Sequence, residues 1–316
     1  MPSWQARLFA LVMRAVVRRR DWGDGRALAR RARRVFGAPA VYRSLASWGV
    51  RRERVEVGPV RGEWLVPSEA RTGVVLYVHG GGFVSCSAAT HRPIAAALAR
   101  HSRRRVLNID YRLAPEHPFP AAPDDILTAY EWLLATGTPA SAIALAGDSA
   151  GGNLVLSLAV RLRNLGRPAP ACVIAFSPWA DLSAAGASTR DNDGADAMFR
   201  FENLAAFAAV YLDGAPPDAP DASPLYAALG GLPPLLIHVG STEILLDDAR
   251  RIDDRVRAAG GVSRLVVFDD VPHCWQMMVP LVPEATASLR AAAGFIVQHV
   301  SGSGMRSRDL ASQPNV

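Results

Sequence analysis

Gly147-Asp148-Ser149-Ala150-Gly151 sets a serine between two glycines in the spacing G-x-S-x-G. An apolar run, Ile143–Ala146, precedes it, and residues of helical character follow from Gly152. A strand–turn–helix of this kind can lift a hydroxyl above a sheet edge. The turn residue must hold a strained backbone, and side chains at the flanking positions would strike the main chain. Ser149 therefore reads as a nucleophile, with the N–H groups of the following helix turned toward developing negative charge; the bland alternative is an ordinary Gly-rich turn. A second glycine cluster, His79-Gly80-Gly81-Gly82-Phe83, follows the apolar run Val74–Val78. Its main chain can approach a substrate closely and turn N–H groups inward, each such donor stabilising a tetrahedral oxyanion by ~3 kcal/mol.

A serine hydroxyl is inert at neutral pH without a base, and the chain has seven histidines. His79, inside the glycine loop, suits a shape-fixing hydrogen bond. His91, His101 and His117 precede Ser149, and the arginines around His101 suppress its basicity. His238 falls in an apolar run and His299 near the end of the last helical stretch. His273 remains, in the loop Val271-Pro272-His273-Cys274-Trp275 after Leu265–Phe268, and the order serine, acid, histidine makes it the leading base. The acid is expected after the run Leu235–Val239, within Gly240–Asp248. Glu243, within a few residues of the strand end, is favoured over Asp247. Asp247 and Asp248 also suit compensation of the next helix dipole.

The elements that must position these groups alternate. Apolar runs at 74–78, 106–109, 143–146, 173–176, 235–239 and 265–268 are separated by helix-like stretches at 92–100, 122–134, 152–165, 249–259 and 284–299. Strands alternating with helices of ten to fifteen residues predict an α/β fold with a mostly parallel central sheet flanked by helices. Val55, Val57 and Trp64–Val66, separated by Gly58-Pro59, read as edge strands. The first fifty residues read as helix, with an apolar stripe between arginines, and no secretory signal is expected there because Arg14 interrupts a short apolar run. The interval 181–234 breaks the alternation and reads as an insertion carrying one helix. The tail 301–316 is polar and expected to be flexible.

Together these motifs resemble the hormone-sensitive-lipase-like (bacterial family IV) carboxylesterases of the α/β-hydrolase fold. The H-G-G-G loop stands at His79–Gly82, the G-D-S-A-G-G elbow at Gly147–Gly152, and a third family stretch at Asp110–Ala122. The resemblance covers roughly residues 50–300. It implies oxyanion donors at the N–H groups of Gly81, Gly82 and Ala150, and a structural rather than reactive role for Asp110–Ala122. The family's acid is usually Asp before Pro-Leu, whereas the matching stretch here is Glu243-Ile244-Leu245. The resemblance also implies a cap in two pieces, residues 1–48 and an insertion at about 183–222, over a catalytic domain spanning 49–300. Candidate pocket walls are Phe83, Met198, Phe199, Phe207, Tyr211 and Trp275, with Phe201 beside them. It implies a serine esterase for short- to medium-chain acyl esters, without cofactor or metal, and leaves a homodimer through the last strand open. A catalytically silent binding protein, an amidase and a long-chain lipase are the alternatives on the same scaffold.

Composition narrows the field. At 316 residues and 50% apolar the chain can bury a substantial core, and disorder as the main state is excluded. Every cation is arginine, so a P-loop, which needs its lysine, is absent. Cys86, Cys172 and Cys274 lack the spacing for structural zinc and are too few for a disulfide framework, which favours a reduced, cytoplasmic setting. Residues 1–54 carry fourteen arginines against three acids, a net charge of +11, within a total of +6. The apolar stripe among those arginines argues against nucleic acid. A cap helix is the leading explanation, and peripheral contact with an anionic membrane is the second.

Overall fold

The computed structural model describes residues 1–36 and 39–300; Gly37, Ala38 and the tail 301–316, expected to be flexible, lie outside the described residues. The chain opens with α1 (Trp4–Met13), which runs on into a π-helical turn at Arg14–Arg18, then α2 (Gly25–Val35) and α3 (Ala40–Ala46). A hairpin follows, β1 (Val50–Val57) and β2 (Val60–Pro67), turning at Gly58-Pro59. Next come β3 (Arg71–Val78), α4 (Ala88–Ser102), β4 (Arg104–Asp110), α5 (Ala121–Ala135), β5 (Ile143–Asp148), α6 (Ala150–Asn164) and β6 (Cys172–Phe176). The interval after β6 holds the short α7 (Ser188–Asp191) and α8 (Phe201–Leu212). The chain then completes the fold with β7 (Leu235–Gly240), α9 (Leu246–Ala258), β8 (Ser263–Phe268) and α10 (Pro283–His299).

The described strands form an eight-stranded sheet in the order β1-β2-β4-β3-β5-β6-β7-β8. β1, β2 and β4 pair antiparallel, and every pair from β4/β3 onward is parallel. Burial follows from position. Val74–Val78 in the interior β3 is buried on both faces, whereas β1 and β8 at the sheet edges keep exposed residues. Along β3, Val74, Leu76 and Val78 join the core beneath α5, α6 and α9, while Val75 and Tyr77 join the core beneath α4 and α10.

After β3 the chain crosses to one neighbour, β4, and after β4 it returns to the other side of β3 to form β5. The strand order therefore reverses at β3/β5, and ligands of open α/β sheets bind beyond the carboxyl ends of the strands at such a point. Val78 at the end of β3 lies in register with Gly147, so the glycine loop and the serine turn emerge side by side. Over them sit α2 and α8, joined by Trp22 and Phe207 with ring centroids 5.8 Å apart. Among the described residues no helix is long and apolar enough to cross a membrane.

Candidate active site

Ser149 caps α6 with φ 53° and ψ −119°, a left-handed conformation that costs a non-glycine residue about 1–3 kcal/mol. The surrounding main chain holds it there. Its N–H donates to the Phe176 carbonyl at 2.8 Å, and its own carbonyl accepts from Asn153 N at 3.0 Å and Trp179 N at 3.2 Å. A Cβ on Gly147 would overlap the Gly151 carbonyl, and one on Gly151 would overlap the Val78 carbonyl oxygen. Both glycines are thus required by close packing of the elbow against β3. Ala150 occupies the first position of α6, where an N–H lacks an intrahelical acceptor.

His273 and Glu243 meet beyond the carboxyl ends of β7 and β8. His273 Nδ1–H donates to Glu243 Oε2 at 2.6 Å. The other carboxylate oxygen, Oε1, accepts from Ser177 Oγ at 2.7 Å and from the Gly240 N–H at 2.6 Å. Nδ1 is thereby committed, which leaves Nε2 for proton exchange. Burial, the largest single influence, disfavours protonation of His273, but the Glu243 carboxylate, with Asp196 and Asp148, outweighs it and raises the pKa. Asp247 is elsewhere: it accepts from Ser188 N at 2.9 Å and pairs with Arg250 at 3.4 Å in the first turn of α9. Of the two sequence candidates for the acid, Glu243 is the one in contact with the imidazole.

The glycine loop is fixed by groups whose roles its motif did not spell out. His79 Nδ1–H donates to the Gly80 carbonyl at 2.7 Å, and its ring stacks on Tyr111 at 4.3 Å. Burial and the neighbouring His91 lower the His79 pKa to about 3, so the ring is neutral. Asp148, buried beside the nucleophile, accepts from the Gly80 N–H at 3.1 Å, from His91 Nε2 at 3.1 Å, from the Tyr77 hydroxyl and from Cys274 Sγ at 3.6 Å. One carboxylate so ties the glycine loop, the elbow, α4 and the His273 loop together. Asp196 is a second such tie. Its Oδ1 accepts from Met198 N and Phe199 N, and its Oδ2 from Ile244 N, which joins the insertion to the acid loop. Asp148 was visible within the G-D-S-A-G-G motif; nothing local in the sequence marked Asp196, His91 or Ser177.

These groups surround one cavity of about 680 Å³, counted to its open mouth, lined by Gly81, Gly82, Ser149 and His273 and walled by apolar side chains. Met198, Phe199 and Phe207 line it as expected, and Phe199 meets the His273 ring edge-on at 5.2 Å. Phe36, Trp179, Leu204, Leu245 and Met277 complete the walls and were not foreseen. Four of the candidate wall residues lie elsewhere. Phe83 and Tyr211 stack face to face at 3.8 Å and are spent joining α8 to the glycine loop. Trp275 is fully buried against Phe268 beneath α10, because the left-handed turn at Cys274 sends it into the core on that face of the sheet. Phe201 is half-buried under the Arg190 guanidinium at 4.8 Å.

The arginines of the N-terminal segment are only partly solvated. Arg14 donates to the carbonyls of Gly194 and Ala195 at 3.0 and 2.7 Å, and Arg18 to that of Phe199. Arg33 donates to Val84 O at 2.8 Å and Ala114 O at 3.0 Å and pairs with Glu116. Among the described residues no cluster of three or more His, Cys, Asp or Glu could hold a metal ion.

Comparison with known proteins points to one family. The sequence pattern of the family described as alpha/beta hydrolase fold matches residues 75–277. An acetyl-hydrolase of Streptomyces hygroscopicus is 38% identical over 252 residues, covering 80% of this chain and 84% of that protein. The carboxylesterase/phospholipase LipF of Mycobacterium tuberculosis is 42% identical over 253 residues, covering 76% of this chain and 67% of LipF. Among solved structures, an esterase from the bacterial hormone-sensitive lipase family superposes with a TM-score of 0.85 at 41% identity, covering 95% of this chain and all of that one. EstE5, in a crystal soaked with p-nitrophenyl butyrate, gives 0.86 at 36% identity, covering 94% and 99%.

Proposed function

The chain belongs to the alpha/beta hydrolase fold family, in the branch of bacterial hormone-sensitive-lipase-like esterases, and from that premise we propose that it is a serine carboxylesterase of short- to medium-chain acyl esters. The observation that carries this is the 2.6 Å bond from His273 Nδ1 to Glu243, at a cavity that Ser149 shares.

In the proposed cycle the ester carbonyl lies against the glycine loop and Ser149 Oγ attacks it while His273 Nε2 takes the hydroxyl proton. Glu243 holds the imidazole in the Nδ1–H tautomer and stabilises the imidazolium. The oxyanion accepts from the N–H groups of Gly81, Gly82 and Ala150. His273 returns its proton to the departing alkoxide, the C–O bond breaks, and an acyl-Ser149 ester remains. A water deprotonated by the same nitrogen attacks the acyl carbon, and collapse releases the carboxylic acid and restores the serine. No step needs a cofactor or metal. The apolar walls suit an acyl chain.

The substrate is thus a small ester rather than a nucleic acid. The three cysteines are free, which fits the cytoplasm. A second copy would pair along the outer edge of β8, which no strand among the described residues covers, and light scattering of the full chain measures that. The activity is tested on p-nitrophenyl butyrate. Ser149→Ala is expected to lower kcat by about 10⁴-fold or more, and a fluorophosphonate is expected to label the wild type at Ser149 alone. Retained turnover in Ser149→Ala, or no label, would refute the assignment.

A further inference from the structure

The N-terminal segment turns many large apolar side chains outward. On α1, Trp4, Leu8 and Leu11 are each more than half exposed, with Val12 and Val16 next to them. Their spacing places them on one helical face. α3 repeats the pattern with Val41, Leu45 and, just past its end, Trp48, which is 85% exposed. The two faces bracket one strip of chain. Ser3, capping α1, donates from its N–H and Oγ to Glu284 at 2.6 and 2.7 Å. The Tyr42 hydroxyl of α3 bonds the Met277 carbonyl at 3.0 Å and the Val279 carbonyl at 2.5 Å. Between those anchors Leu281 is 54% exposed. Large apolar groups exposed in this number, on segments that Ser3 and Tyr42 tie to one stretch of chain, exceed the scattered exposure normal for a monomer.

The charge of the same segment says what covers this face. Residues 1–54 carry fourteen arginines against Asp21, Asp24 and Glu53. Arg14, Arg18 and Arg33 are engaged with backbone carbonyls, but Arg7, Arg19, Arg26, Arg30 and Arg34 are exposed. A second copy packed two-fold on the same face would bring two such strongly basic segments together. A nucleic acid would offer no reward for burying Trp, Leu and Val. An anionic lipid surface satisfies both features, since apolar side chains enter the acyl boundary while arginines meet headgroups.

We propose that the outer faces of α1 and α3, with Leu281 between them, form a docking surface for an anionic phospholipid bilayer, on which the protein lies without spanning it. The surface adjoins the cavity walls: Arg14 and Arg18 hold the segment 194–199, and Tyr42 holds Met277. Docking does not depend on the esterase assignment, and binding alone reads it.

The experiment is co-sedimentation of the full chain with phosphatidylcholine vesicles, with and without phosphatidylglycerol, at low and high salt. The wild type is expected to pellet with the anionic vesicles at low salt, less at high salt, and to stay in solution with phosphatidylcholine alone. Leu11→Asp and Trp48→Asp, on separate helices and both solvent-exposed, should each reduce binding about tenfold or more. Binding is compared on variants whose thermal melt matches the wild type, with Leu11→Gln and Trp48→Gln used if the aspartates lower it. The proposal is overturned if the wild type stays in solution with anionic vesicles at low salt, or if fold-matched variants pellet as it does. It is equally overturned if light scattering shows a dimer that Leu11→Asp dissociates.

Discussion

Glu243 has its two oxygens committed in different directions. Oε2 accepts a hydrogen bond from His273 Nδ1–H, and Oε1 is locked by Ser177 and the Gly240 N–H. The carboxylate therefore cannot rotate away from the imidazole without breaking two further bonds. Glu243→Gln keeps the shape but loses the charge that stabilises the imidazolium, and kcat is expected to fall about 10²–10⁴-fold. Asp247→Asn, away from the imidazole, should leave kcat within a few-fold of wild type. The raised pKa of His273 carries a sign. As the proposed base, His273 acts only when neutral, so the acidic limb of kcat/KM should lie above the ordinary histidine value of about 6.5. A profile still flat below that value would contradict the inferred environment.

The decisive elements are the turn between β5 and α6 and the loop after β3. They meet because Gly147 and Gly151 let the elbow press against the Val78 carbonyl. Gly151→Ala is expected to destabilise the protein by about 3 kcal/mol, at the upper end for overpacking, measured as a lower urea midpoint. A milder change probes α8. The Phe207 ring sits over Gly82 and against Trp22, so its removal deepens the cavity from the α8 side. Phe207→Ala should shift preference toward longer acyl chains, read from kcat/KM across a p-nitrophenyl ester series. An unchanged optimum would place the acyl group elsewhere in the cavity.

Across the molecule, the basic N-terminal segment does two things at once. Inward, Trp22 stacks on Phe36 at 5.0 Å, Phe36 lines the cavity, and Arg14 and Arg18 hold the insertion. Outward, it carries exposed apolar side chains and exposed arginines. Removing residues 1–36 would bare Leu204 and Phe207 together with the site beneath them. The truncated chain is expected to melt at lower temperature, to bind a hydrophobic dye and to lose most of its esterase activity. Retention of full activity would show that the roof is dispensable for catalysis.

The sequence alone determined the parts whose meaning is local. The elbow around Ser149, the glycine loop, the alternation of strands and helices, and the order of serine, acid and base each depend on spacing within a few residues, and backbone sterics and periodicity are legible at that range. The tertiary structure decided what depends on meetings between distant segments. Glu243 rather than Asp247 reaches His273 because β7 and β8 lie in register. Asp148 and Asp196 became ties only when loops far apart in the chain converged on them. The pocket walls were the least legible part. An aromatic residue such as Phe83 or Trp275 looks the same in a sequence whether it faces a cavity or the core, and only the direction of its backbone, fixed by packing, separates the two.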